Sequence, residues 1–218
     1  MWKRLFGGRK SPLAAEQADD RLELKQDVER LLESDFSSEA ERDSHASEVL
    51  RVLRALEAEI QEVRQLANGY PANPIGADVW MNGAMYSGWA EALTQHFKVA
   101  GWLKHERNAS GLWVAATLAV NSHYHNLVGP AMTSNADCYA RLGQTDEAVE
   151  RYRAVVADFS FLVDEWLSEE AYPENEDRES IRYLEISLEE LERLVGLEDS
   201  EVLLKQSLRV ILSRTETD

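Results

Sequence analysis

Residues 135–156, NADCYARLGQTDEAVERYRAVV, decide how the rest of the chain is read. The run breaks at Leu142-Gly143-Gln144-Thr145, and apolar or small residues recur with a helical period on either side. Before the break Ala136, Tyr139 and Ala140 share one face at i, i+3 and i+4. After it Ala148, Val149, Tyr152 and Val155 do the same. Gly143 stands where the first helix must stop, because a residue without a Cβ enters the left-handed region at least cost. Thr145 offers an oxygen to cap the second helix, and Asp146 and Glu147 sit at the positive end of its dipole. The segment therefore predicts two helices that return on each other through a tight turn.

The same residues resemble one tetratricopeptide repeat, over about residues 129–162. That family has a small residue, an aromatic three on, a turn glycine, an alanine at the tight crossing and a second aromatic four later. Ala136, Tyr139, Gly143, Ala148 and Tyr152 take those places. Small residues let two helices approach closely, and each aromatic fills the space left beside them. The chain departs from the pattern at Met132, Thr133 and Asn135, and has Ser160 where the family closes with proline. The resemblance implies an array of antiparallel helix pairs whose first helices wall a groove for a partner's peptide or helix. It points to a non-catalytic adaptor or scaffold, with Asn135, Tyr139 and Arg141 as candidate groove residues. A plain helical hairpin explains the same periodicity without the groove.

Composition narrows the surroundings of this segment. A hydrophobic content of 44 % is enough to close a core, and a net charge of −17 argues against nucleic acid, whose phosphates need a basic stripe. Cys138 is the single cysteine, so no internal disulfide can form and a reducing, bacterial-type cytoplasm is expected. A small buried thiol is the plain reading of Cys138; a nucleophile would need a base that the sequence does not place beside it. The longest apolar run, residues 111–120, is interrupted by Thr117 and is about half the roughly 20 residues that spanning a bilayer requires.

In chain order, residues 1–10 (MWKRLFGGRK) form a tip with Lys3, Arg4, Arg9 and Lys10 and no acid. Trp2, Leu5 and Phe6 would share one side of a short helix, so Trp2, Lys3, Arg4, Leu5 and Phe6 are candidates for a weak contact with an anionic membrane surface, peripheral to the inner membrane. Residues 11–69 read as a helical hairpin. Ser11 and Pro12 open its first helix, and Leu24, Val28, Leu31 and Leu32 stripe it. Ser38 and Glu41 make a capping-box pattern for the second. There Ala46, Val49, Leu53, Leu56, Ile60, Val63 and Ala67 form a narrow coiled-coil seam, open to the first helix or to a second copy of the chain through residues 46–67. Residues 70–78 (YPANPIGAD) are a linker, and residues 79–218 are expected to form the tetratricopeptide-like domain. Within it one helix runs to about His105, Asn108 or Ser110 caps the next, and residues 112–127 are apolar on nearly all sides, as a helix with several neighbours would be. Gly83, Gly88, Gly101, Gly111 and nearby alanines permit close crossings. Residues 164–201 carry fifteen acids against Arg178, Arg182 and Arg193, a solvated face or one that receives a basic partner.

The histidines are the candidates for chemistry. His123 and His125 point about 200° apart on a helix, so the alternative metal site is His96 and His123 with an acid such as Asp137. No Glu-x-x-His run, phosphate-binding glycine loop or nucleophile elbow accompanies them. The expectation is an all-α protein that is not an enzyme and carries no cofactor. The alternative is an enzyme or cofactor carrier with its site in the Trp- and His-rich residues 80–138.

Overall fold

The computed structural model describes residues 12–68, 76–121, 125–168 and 175–215. These residues form eight α-helices and no strand: α1 (Pro12–Glu33), α2 (Glu39–Asn68), α3 (Ala77–Val99), α4 (Leu103–Asn121), α5 (His125–Arg141), α6 (Thr145–Ser168), α7 (Asn175–Leu194) and α8 (Asp199–Thr215). The fold is all-α, as expected.

Local chemistry sets most of the boundaries. Ser38 and Glu41 form the expected capping box at α2: the Glu41 N–H donates to Ser38 Oγ at 3.2 Å, and the Ser38 N–H donates to Glu41 Oε2 at 3.2 Å. At the end of α5, Gly143 takes φ 73°, the Gln144 N–H returns to the Tyr139 carbonyl, and the Gly143 N–H to that of Ala140. Two orphan carbonyls are thereby satisfied. Thr145 is not the cap of α6; it is already helical, and the Gln144 carbonyl accepts the first bond from the Ala148 N–H at 3.0 Å. The same glycine device ends α3 earlier than expected. Gly101 has φ 67°, the Trp102 N–H bonds the Phe97 carbonyl at 2.9 Å, and the two aromatic rings meet edge-on. The Trp102 carbonyl then starts α4, so Asn108 and Ser110 lie inside that helix rather than at its cap.

Two clusters of buried side chains divide the molecule. One joins α1 to α4 and takes in Ala131 of α5; the other joins α5 to α8. This grouping differs from a hairpin of residues 11–69 set apart from an array of residues 79–218. The physical reason is the width of α2's apolar face. Val49, Val52, Leu53, Leu56, Ile60 and Val63 are all buried, and α2 packs mainly on α4 and α3, with α1 a smaller partner. The middle of the seam, Val49, Leu53, Leu56, Ile60 and Val63, is thus buried within the chain. Phe36, in the turn before α2, fills the first core beside His45, His96, Phe97 and Trp102.

Successive helices from α3 to α7 pack on one another, and second neighbours pack within each half: α1 on α3 and α2 on α4, then α5 on α7 and α6 on α8. Across the middle only α4 and α5 share an extensive interface. The outer helices α3 and α6 therefore stand off from α5 and α4, leaving a notch on each side of the joint. In the second half Ala136, Ala148, Tyr152 and Val155 are buried in one core, with Tyr139 packed against it.

Candidate binding cleft

One notch opens between α4 and α6, with α5 as its floor. Its volume is about 410 Å³, and Gly111 and Val114 of α4, Met132 and Asn135 of α5, and Glu150, Arg151 and Ala154 of α6 line it. Gly111 contributes to this shape directly, because a Cβ placed there would meet no atom within 4 Å.

The polar end of the cleft is built by a chain of hydrogen bonds. Asn135 is 8 % exposed; its Nδ2 donates to Ser110 Oγ at 2.9 Å, and its Oδ1 accepts from Arg151 Nε at 2.8 Å. Arg151 also donates through Nη1 to the Glu147 carbonyl at 3.0 Å, and its guanidinium lies 3.7 Å from the centre of the Tyr139 ring. Arg107 of α4 approaches the same ring from further away, at 6.0 Å. A cation over the negative face of an aromatic ring is attracted by its quadrupole.

Of the three residues expected in a groove, Asn135 lines the cleft and Tyr139 supports its arginine. Arg141 is placed elsewhere: it pairs with the buried carboxylate of Glu106 and, at 3.0 Å, with Asp137, which also holds Lys98 at 3.3 Å. The rest of the lining, Gly111, Val114, Met132, Glu150, Arg151 and Ala154, was not assigned to a groove by the sequence, in which Gly111 stood only as a permissive crossing and no period links α4 to α6.

A second notch, of about 340 Å³, lies between α3 and α5 over α4, lined by Trp80, Ser87, Gly88, Glu91, Trp113 and Leu127 among others. Burial raises the Glu91 carboxyl above its ordinary value. Ser87 and Thr117 share a hydrogen bond of 2.7 Å at its base.

The proposed chemistry of the histidines and the cysteine finds other employment. His96 bonds the Ser34 carbonyl through Nε2 at 3.0 Å and stacks edge-on against Phe36, while Asp137 is occupied as above. His123 lies outside the described residues, as do Trp2, Lys3, Arg4, Leu5 and Phe6. Among the described residues no group of three or more His, Cys, Asp or Glu side chains could hold a metal ion. Cys138 is buried with its Sγ 3.6 Å from the Leu103 carbonyl, and burial, aided by Glu106, pushes its thiol up to about 11. Such a thiol stays protonated and is a poor nucleophile near neutrality. None of the described helices is long and apolar enough to cross a membrane.

The fold and cleft define an all-α protein built of stacked helices, with open notches where its two halves join. Comparison with known protein families, curated proteins and solved structures found no match.

Proposed function

We propose that this protein is a non-catalytic, tetratricopeptide-like adaptor that holds a segment of a partner protein in the cleft between α4 and α6. The observation that carries this reading is a preformed cleft whose arginine is held in place from three sides. Preorganisation of that kind lowers the entropy lost when a partner orders the site. A cytoplasmic setting suits the single protonated thiol. The basic tip of residues 1–10 would add reversible contact with anionic lipid, which flotation with vesicles of phosphatidylserine and phosphatidylcholine, with and without those residues, would detect.

The cleft is tested by filling it. Gly111→Gln adds a side chain where a Cβ meets nothing, so the helix is spared and the space is lost. Affinity purification from the native host should retrieve a partner with the parent protein and lose it with G111Q. Equal recovery with both would end the adaptor reading at this cleft.

A second reading, a ligand carrier or enzyme in residues 80–138, is favoured by the Trp-lined notch and the raised carboxyl of Glu91 beside it. Native mass spectrometry and elemental analysis of the protein from its host would separate the two. A stoichiometric small molecule or metal would replace the adaptor reading.

A further inference from the structure

We infer that the cleft between α4 and α6 recognises an acidic peptide, one carboxylate side chain being gripped by Arg151 with help from Arg107 and its apolar neighbours lying along Val114, Met132 and Ala154. The inference rests on the adaptor reading and adds the chemistry of the partner.

Arg151 is the most constrained cation of the cleft. Nε is spent on Asn135, Nη1 on the Glu147 carbonyl, and the ring of Tyr139 covers one face. Asn135 is itself fixed by Ser110, which is fully buried. A guanidinium offers five N–H donors in a planar fork, and among the described residues none accepts from Nη2. Nη2 is thus left to a ligand, and it can give a carboxylate oxygen one charge-assisted hydrogen bond.

Charge gives the second argument. The chain holds 40 Asp and Glu against 23 Lys and Arg, so a cation has carboxylates on offer almost everywhere. Arg30, Arg51, Arg141, Arg153 and Arg193 all take one. Arg151 and Arg107 make no ion pair among the described residues, as is also true of Arg42, Arg54, Arg64, Arg182 and Arg209; what sets these two apart is that both stand at the ring of Tyr139. Two guanidiniums at one ring, neither paired with a carboxylate, make a local positive spot on an acidic body. Glu150 on the cleft wall limits what fits: it repels a run of acids along the whole length and favours one or two carboxylates at the arginine end. The remaining lining, Gly111, Val114, Met132 and Ala154, is small or apolar and suits uncharged neighbours.

The test is selection of a displayed library of random dodecapeptides on the intact protein, followed by affinity measurement on the selected peptides. The expected result is enrichment of sequences with Asp or Glu beside apolar residues, bound more weakly as salt rises. Arg151→Gln should weaken the best peptide by about tenfold, the worth of one charge-assisted hydrogen bond. Arg151→Lys, which keeps the charge and loses the fork, should fall between. Arg107→Gln removes a partly exposed side chain with no ion pair among the described residues, so it tests the site even if Arg151 variants fold poorly. Selection without enrichment of acids, or acidic peptides that bind both Gln variants as tightly as the parent, would overturn the inference. Neutral peptides that bind the parent and are lost with Gly111→Gln would overturn it while leaving the adaptor reading in place. Peptides indifferent to Gly111→Gln, or no selected peptide at all, would remove both.

Discussion

The His105 imidazole is 3 % exposed, edge-on to Trp102 at 4.2 Å, and its Nδ1 has no hydrogen-bond partner. Burial, with Lys104 nearby, lowers its pKa from the ordinary 6.5 to about 4. Above pH 6.5 the ring is neutral in both the folded and unfolded chain. As pH falls toward 4 the unfolded chain takes up a proton that the folded one refuses, so stability is full above 6.5 and is lost through this window. The loss between pH 7 and 5 should be roughly 2 kcal/mol. Carboxylates held low, such as Asp27 by Arg51 and Glu192 by Lys205, keep their stabilisation above their unfolded values near 4 and lose it only below them, while the raised Glu91 carboxyl works against the histidine's loss as pH falls. Urea unfolding at pH 7 and pH 5 checks it: the parent should lose midpoint and His105→Leu should lose much less. An equal fall in both proteins would mean that another group carries the dependence.

Among the helices, glycines of the same appearance do opposite things. Gly83 of α3 faces α4 and α2: a Cβ there would lie 2.4 Å from Val120 Cγ1 and 3.1 Å from Val63 Cγ1. It is a true close crossing. Gly88 and Gly111, on α3 and α4, face open space in the two notches. Gly83→Ala should therefore destabilise the protein by about 1–3 kcal/mol through overpacking. Adding Val120→Ala should return part of that, so the double variant loses less than the two single losses combined. Gly111→Ala should stabilise by about 0.5–1 kcal/mol, since a mid-helix glycine costs that much relative to alanine. Thermal melts of these four variants beside the parent decide the matter; a neutral Gly83→Ala would show that α3 can shift away from α4 without loss. The sequence treated all these glycines alike, because what a missing Cβ faces is set by the neighbouring helix and not by the helix that carries it.

Across the whole molecule, the two cores meet at α4 and α5, and each has its own tight point. Gly83 serves the first; Gly129 serves the second, where a Cβ would come within 2.6 Å of the Tyr183 ring on α7. Amide hydrogen exchange should accordingly respond by halves: faster in α1 to α4 for Gly83→Ala, and faster in α5 to α8 for Gly129→Ala. Acceleration throughout the chain in either variant would mean a single cooperative unit. By itself the sequence determined the helical class, the break at Gly143, the capping box of Ser38 and Glu41, and the buried stripes of α2 and α6. Each of these follows from contacts within about five residues or from a period of 3.6, and such signals survive in one dimension. It also drew attention to Asn135 and Tyr139. Only the tertiary structure decided that α2 belongs to the same core as α3 and α4, that Arg141 turns to Glu106, and that Arg151 and Arg107 both come to the ring of Tyr139. Those outcomes depend on which helix lies beside which, and no local period encodes a neighbour twenty or more residues away.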